Sequence, residues 1–302
     1  MSSGSIFLEQ LTNGISLGSI YALIALGYTM VYGIVMLINF AHGDILMVGA
    51  YAGYFILTAL AASGMPYLAL ALAFAGSMIL CGFLGIIIEK FAYRPLRNAP
   101  RLNSLITAIA VSLILQNGMR VLPFVGPNPR PFPGVIEGKL ALGTFSISYI
   151  QLIVICISAL LMILLTILIN YTKTGKAMRA VSFDMQAASL MGISVNRTIS
   201  FTFALGSVLA AAGGILYASA YPQIDPVMGA MPGLKAFVAA VLGGIGSVPG
   251  AMLGGFILGI AETLTKGYIN SQYADAISFS ILIIILLIKP SGLLGKNIRV
   301  KV

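Results

Sequence analysis

Long apolar runs separated by short polar breaks make up nearly the whole chain. A helix rises about 1.5 Å per residue, so about 20 mostly apolar residues carry it across the roughly 30 Å of hydrocarbon in a bilayer. Runs of that kind lie near 11–38, 44–62, 66–88, 104–122, 147–169, 199–220, 233–247, 250–268 and 276–289. The first is long enough to hold a tilt or an added half-helix. Only Ser247-Val248-Pro249 separates the seventh from the eighth, so these two are either separate crossings or one broken, re-entrant element. The pattern predicts an all-α polytopic transmembrane helical bundle of eight or nine segments, in a single transmembrane domain spanning 1–302.

Composition agrees. Of the 302 residues, 59% are hydrophobic and only 8% charged, against roughly 25% charged in soluble domains. The formal net charge of +9 raises the question of nucleic acid. The basic residues, however, are scattered through breaks between apolar spans, which fits the excess of Lys and Arg on the inner side of membrane proteins better. Lys90, Arg94, Arg97 and Arg101 form one cluster; Lys173, Lys176, Arg179 and Arg197 a second; Lys289, Lys296, Arg299 and Lys301 a third. Even numbers of spans separate them, so all three fall on one face, expected to be cytoplasmic together with the C-terminus. No Lys or Arg precedes Lys90, so a cleaved secretory leader is not expected. Cys81 and Cys156 sit inside apolar runs and read as small buried hydrophobes.

The opposite face receives the segment 123–146, with Pro123, Pro127, Pro129, Pro131 and Pro133. Proline at that density favours extended backbone. An ordered external loop is expected, serving either to dock a partner or as a stiff connector.

Small and polar residues mark candidate working parts. Gly243, Gly244, Gly246, Pro249, Gly250 and Gly254 form the most glycine-dense stretch, and Gly255 and Gly259 continue it. Four-residue glycine spacing makes a groove where another helix backbone can come close, and Pro249 suits a discontinuous helix lining a pathway. Asn39, His42 and Asp44 occupy a polar break at the inner end of the first span. They form either a gate or proton-sensitive pair, or a plain helix-to-helix turn with Asp44 near a helix N-terminus. Glu262 and Lys266 can pair one turn apart, and Lys235 can snorkel outward.

The longest polar island, 173–198, contains Asp-Met-Gln-Ala-Ala-Ser-Leu-Met-Gly at 184–192. Met178, Val181, Met185 and Ala188 recur at three- and four-residue spacing, which predicts one amphipathic helix over 176–191 ended by Gly192. It is too short and polar to cross. Its polar face is small and mixed, not the basic face suited to lipid headgroups, so docking to a partner is favoured over lying on the bilayer.

Gln186-Ala187-Ala188-x-x-x-Gly192 resembles the Glu-Ala-Ala-x-x-x-Gly signature of bacterial ABC-importer permeases. Four further stretches, in order, resemble the high-affinity branched-chain amino acid permeases: Ile38-Asn39-Phe40-Ala41-His42-Gly43-Asp44, Tyr93-Arg94-Pro95-Leu96-Arg97, Gly243 to Gly250, and Lys289-Pro290-Ser291-Gly292-Leu293-Leu294-Gly295. The resemblance implies that 173–198 is the cytoplasmic coupling loop, with Arg179, Asp184, Gln186, Ala187, Ala188 and Gly192 meeting an ATPase. It also implies a second homologous permease, two ATPase subunits, an extracytoplasmic binding protein and a home in the bacterial cytoplasmic membrane. The cargo would be leucine, isoleucine or valine, with urea, amides or other amino acids as alternatives within the family. No G-x-x-x-x-G-K-[ST] occurs, so ATP and Mg are expected on the partners and no cofactor on this chain. An ion-coupled carrier would need acids at mid-membrane, and an intramembrane enzyme a nucleophile–base or metal-ligand set; one histidine with no acidic cluster at depth supports neither.

Overall fold

The computed structural model describes residues 3–36, 39–61, 64–97, 99–136, 138–142 and 145–295. In chain order its helices are α1 (Ser3–Val35), α2 (His42–Leu60), α3 (Pro66–Ile88), α4 (Arg101–Val121), α5 (Tyr149–Tyr171), α6 (Lys173–Phe183), α7 (Met185–Leu190), α8 (Val195–Ala220), α9 (Ala230–Gly243), α10 (Val248–Tyr268) and α11 (Ala274–Ile288). Eight helices among the described residues are long and apolar enough to cross a bilayer. With 14 residues, α9 rises only about 21 Å, short of the hydrocarbon thickness. The seventh apolar run is therefore a half-helix; because Gln223–Ile224 pairs with the loop at the far end and Gly243 meets residues 293 and 294 at the basic end, residues 225–229 and α9 together complete that pass, beside eight full-length spans.

Two of the three basic clusters touch. Arg97 donates to Asn196 at 2.6 Å, and both Arg94 and Ser200 bond to Glu89. The third meets the same end through the 289–295 segment, where the Leu293 and Leu294 amides donate to the Leu242 and Gly243 carbonyls, each at 2.9 Å. Those carbonyls end α9 and would otherwise lack partners in an apolar setting. Lys296, Arg299 and Lys301 lie outside the described residues, as does Ile38.

The core is built from backbones in close contact. α1 is almost wholly buried and runs antiparallel to α10. A Cβ added at Gly18 would stand 2.8 Å from the Phe256 Cα, and one at Gly14 would stand 2.8 Å from the Ile260 Cα. The predicted glycine groove is real but two-sided: Gly255 and Gly259 face α1, whereas Gly250 and Gly254 face α9. Gly246 belongs to neither face; it lies in the α9–α10 turn with φ +92°. Pro249 stands in the first turn of α10, where its missing amide is harmless. On the other side of α1, Gly49 and Gly53 of α2 meet Ala211 and Ile215 of α8, so these two helices run parallel. α4 and α11 are mostly exposed.

The proline-rich loop, at the end opposite the basic clusters, is ordered among the described residues. Its strand β1 (Arg130–Pro131) pairs antiparallel with a second short strand, Gln223–Ile224, and β2 (Lys139–Leu142) pairs with β3 (Phe145–Ser148). Val125 and Phe132 are buried beneath it. Cys81 is buried as expected, but Cys156 is exposed on the outer side of α5, because that helix lies at the margin of the bundle.

The α1–α10 contact has a measurable consequence. Gly18→Leu should lower the stability of the detergent-solubilised protein by about 1–3 kcal/mol, the usual cost of overpacking. Gly118→Ala in α4, where a Cβ meets nothing within 4 Å, should instead be neutral or stabilising by up to about 1 kcal/mol. Thermal unfolding midpoints of both variants check the contrast.

Candidate functional site

The polar island at the basic end is two helices and not the single helix its periodicity suggested. Asp184 takes an extended conformation (φ −155°, ψ 113°) between α6 and α7. Its carboxylate accepts hydrogen bonds from the Gln186 and Ala187 amides at 2.8 and 2.9 Å. Aspartate gains more as an N-cap than inside a helix, and that preference breaks the run. At the far end Gly192 has φ +82°, its amide donates to the Ser189 carbonyl, and Ile193 donates back to Ala188. This is the left-handed stop predicted for Gly192.

The buried side of this unit is set by Met178, Val181 and Ala188. Met185 falls outside the stripe, being exposed, because the break at Asp184 re-phases the second helix. Ala188, expected to face a partner, is 4% exposed and packs within this chain. Gln186, Ala187 and Ser189 are exposed. The side turned away from the bundle carries Phe183, Leu190 and Met191, which are 96%, 89% and 83% exposed. The Arg179 guanidinium reaches the Ile169 carbonyl and, at 3.5 Å, that of Asn170, at the C-terminal end of α5. A cation there meets the negative end of the helix dipole. Inward, Met178 and Arg179 share a cavity of about 90 Å³ with Thr29, Gly33 and Gly246, so the island touches both α1 and the α9–α10 turn.

Next to the island α3 ends in a π-helical turn, Glu89–Tyr93, followed by a 3₁₀ turn, Arg94–Leu96. The Glu89 side chain is fully buried and is held by Arg94 at 2.8 Å, by Arg97, and by the Ser200 hydroxyl at 2.6 Å. Burial pulls the Arg97 guanidinium below its usual range, and the Glu89 charge opposes that pull. The wider π turn brings Tyr93 inward, where its hydroxyl donates to the Asn39 side-chain oxygen at 2.9 Å. The same oxygen accepts from the Ala41 amide at 3.1 Å, shaping the turn before α2.

That turn is more enclosed than the sequence suggested. Asp44, in the first turn of α2, accepts from Gln116 at 2.8 Å. Gln116 stands about four helical turns beyond Arg101, or about 22 Å along α4. Asp44 is therefore enclosed between α2 and α4, 2% exposed, and not in an open surface turn. His42 and Asp44 do not pair: two residues apart on a helix, they point to different sides. The His42 ring sits edge-on to Tyr28 with centroids 4.6 Å apart, and its Nε2 has no hydrogen-bond partner among the described residues.

A second charged group fills the other half of the bundle. Glu262 accepts from Lys235 at 2.8 Å, Lys266 at 2.6 Å and the Tyr21 hydroxyl at 2.9 Å, and Lys235 also pairs with Asp275 at 2.6 Å. The Lys235 side chain is buried, so the snorkelling expectation is wrong. Two carboxylates within reach outweigh the pull of water. Among the described residues no three His, Cys, Asp or Glu side chains cluster as metal ligands.

The model of the branched-chain amino acid transport system permease component family matches residues 10–286. The chain belongs to this family. It is 45% identical over 297 residues to the high-affinity branched-chain amino acid transport system permease protein LivH of Escherichia coli K12, covering 96% of each chain. It is 44% identical over 298 residues to the corresponding protein BraD of Pseudomonas aeruginosa, again covering 96% of each. A probable branched-chain amino acid transport permease of Methanocaldococcus jannaschii is 32% identical over 301 residues, covering 94% of this chain and 91% of its own.

The sequence did not expose the Glu89 clamp, the Lys235–Glu262–Asp275 group or the Asp44–Gln116 pair. One signal was available for the first, a lone acid at the edge of four bases. The other two join residues 27 to 72 positions apart. Lys235→Met should destabilise the solubilised protein by about 3 kcal/mol, because it strips a buried carboxylate of a partner. Lys235→Met with Glu262→Leu should cost less than the sum of the two single changes. Denaturation of the three variants closes that cycle.

Proposed function

We propose that this chain is the membrane-spanning permease subunit of an ATP-driven importer. It moves branched-chain amino acids, delivered by an extracytoplasmic binding protein, into the cytoplasm. The carrying observation is the family match across residues 10–286. The basic end is the cytoplasmic face, with the C-terminus on it. A second homologous permease completes the pathway, two ATPase subunits bind ATP and Mg, and this chain holds no cofactor and performs no catalysis.

The α6–α7 unit is the ATPase docking element. Phe183, Leu190 and Met191 form an apolar surface that nothing among the described residues covers, and their cluster at a charged, water-facing end suits burial against protein. Residues 176–192 carry the mechanical load. Met178 and Val181 seat the unit on the bundle, Arg179 ties it to the end of α5, and Asp184 and Gly192 fix the two ends of α7. Closure of the ATPase pair on ATP would push this rigid unit against α1 and the α9–α10 turn. Gly243, Gly244, Gly246 and Gly250 there allow backbones to shift without side-chain clashes, and Pro249 keeps α9 and α10 separate.

Because Ala188 is buried, a substitution there would unseat α7 from its own chain and not report on docking alone. Leu190→Asp with Met191→Asp is the cleaner test. In proteoliposomes containing the complete transporter, ATP-driven leucine uptake should fall at least about tenfold and the ATPase subunits should no longer co-purify. The thermal midpoint of the permease itself should stay put, since exposed substitutions usually stay within about 0.5 kcal/mol. Normal uptake and co-purification would remove α7 from the coupling role.

A further inference from the structure

Among the described residues three carboxylates are fully enclosed in this bundle, and two of them are neutralised at once. Glu89 has Arg94 and Arg97; Glu262 has Lys235 and Lys266. The third is Asp44. It is 2% exposed, bonds to the membrane-spanning helix α4 about four turns beyond Arg101, and pairs with no cation among the described residues. A charge within a span costs roughly 2.5–3.5 kcal/mol on insertion scales, and such residues characteristically mark a pathway when they border a cavity. Asp44 borders one. A cavity of about 280 Å³ lies between α1, α2, α4 and α9, with Asp44, Ser112 and Gln116 on its polar side. Its apolar side is formed by Ile109, Leu113, Leu234 and Phe237.

Several groups around Asp44 oppose the cost of enclosing its carboxylate. It stands in the first turn of α2, where the helix dipole favours a carboxylate. The N-terminal end of the half-helix α9 abuts the same place: a Cβ added at Gly233 would lie 2.7 Å from the Gly43 Cα. Gln116 donates to one carboxylate oxygen and also to Ser112 at 3.2 Å, which fixes the amide. Neither partner supplies a positive charge. The rim residues Leu113 and Leu234 are exposed, so the space is not sealed within this chain.

A site with one unneutralised carboxylate, one amide and aliphatic walls is complementary to a primary ammonium carried beside a branched hydrocarbon. We infer that this cavity is a way-station for the cargo amino acid inside the permease, with Asp44 as the counter-charge for the ammonium group. Gln116 and Ser112 orient the carboxylate, and Ile109, Leu113 and Leu234 receive the side chain. The inference rests on the importer reading above and adds to it the chemistry of a passage site in this subunit.

The test uses the complete transporter in proteoliposomes, with radiolabelled leucine uptake and ATP hydrolysis stimulated by loaded binding protein read in parallel. Asp44→Asn removes the charge and keeps the shape. It should lower uptake at least about tenfold, the effect of little more than one lost charge-assisted contact, while stimulated hydrolysis stays within about twofold of wild type. Asp44→Glu, which restores the carboxylate, should recover a substantial part of uptake. Equal impairment by Asn and Glu, or full uptake by Asp44→Asn, overturns the way-station and leaves the importer reading intact. Absence of ATP-driven uptake with the unaltered chain would instead defeat the importer reading. Should Asp44→Asn not assemble, Leu113→Trp fills the cavity from α4 and leaves Asp44, Gln116 and Ser112 in place. Unimpeded uptake in that variant also overturns the inference, and a tenfold loss with hydrolysis retained supports it.

Discussion

Direct backbone contact between α1 and α10 is the constraint on which the rest of this bundle depends. In lipid, apolar side chains gain little by leaving one hydrocarbon surface for another, so helices associate through close packing and buried polar bonds. Gly14 and Gly18 on one side, and Gly255 and Gly259 on the other, let the two axes approach until main-chain atoms touch. With α1 pinned in the centre, α10 still has a second glycine face free for α9. A half-helix that cannot cross the membrane is thereby held inside it, with its terminal carbonyls satisfied by residues 293 and 294.

Much of the architecture could be read from the apolar runs, because crossing length is imposed by the bilayer and not by tertiary context. α3, α4 and α5 fell close to their expected bounds, and the ordered proline loop and the Gly192 stop followed from local backbone preferences. What escaped the sequence was set by enclosure and by distant partners. Asp44 looked like a surface turn because hydropathy cannot tell an open turn from one enclosed by a neighbouring helix. Lys235 looked like a snorkelling lysine because Glu262 and Asp275, its partners, lie 27 and 40 positions away. The single helix over 176–191 failed for a local reason: the apolar period continued through Asp184, and capping outweighed it.

The candidate site was legible in position more than in detail. The polar island did prove to be the exposed, two-ended element at the basic face. The apolar stripe held at Met178, Val181 and Ala188 and failed at Met185, since a stripe read on a continuous helix shifts once the helix breaks. The larger residues Phe183, Leu190 and Met191 are exposed on the same unit as Ala187. The short path from Met178 through Gly33 and Gly246 to α9 gives that surface a physical connection to the middle of the bundle.

The quartet of Lys235, Lys266, Glu262 and Asp275, two of them buried and two open to the surface, has equal numbers of positive and negative members. A transmembrane voltage does work of about 2.3 kcal/mol on each uncompensated elementary charge moved through 100 mV. A group with zero sum can shift as a body without that term. When α9, α10 and α11 shift together, this group of four adds no voltage-dependent work of its own.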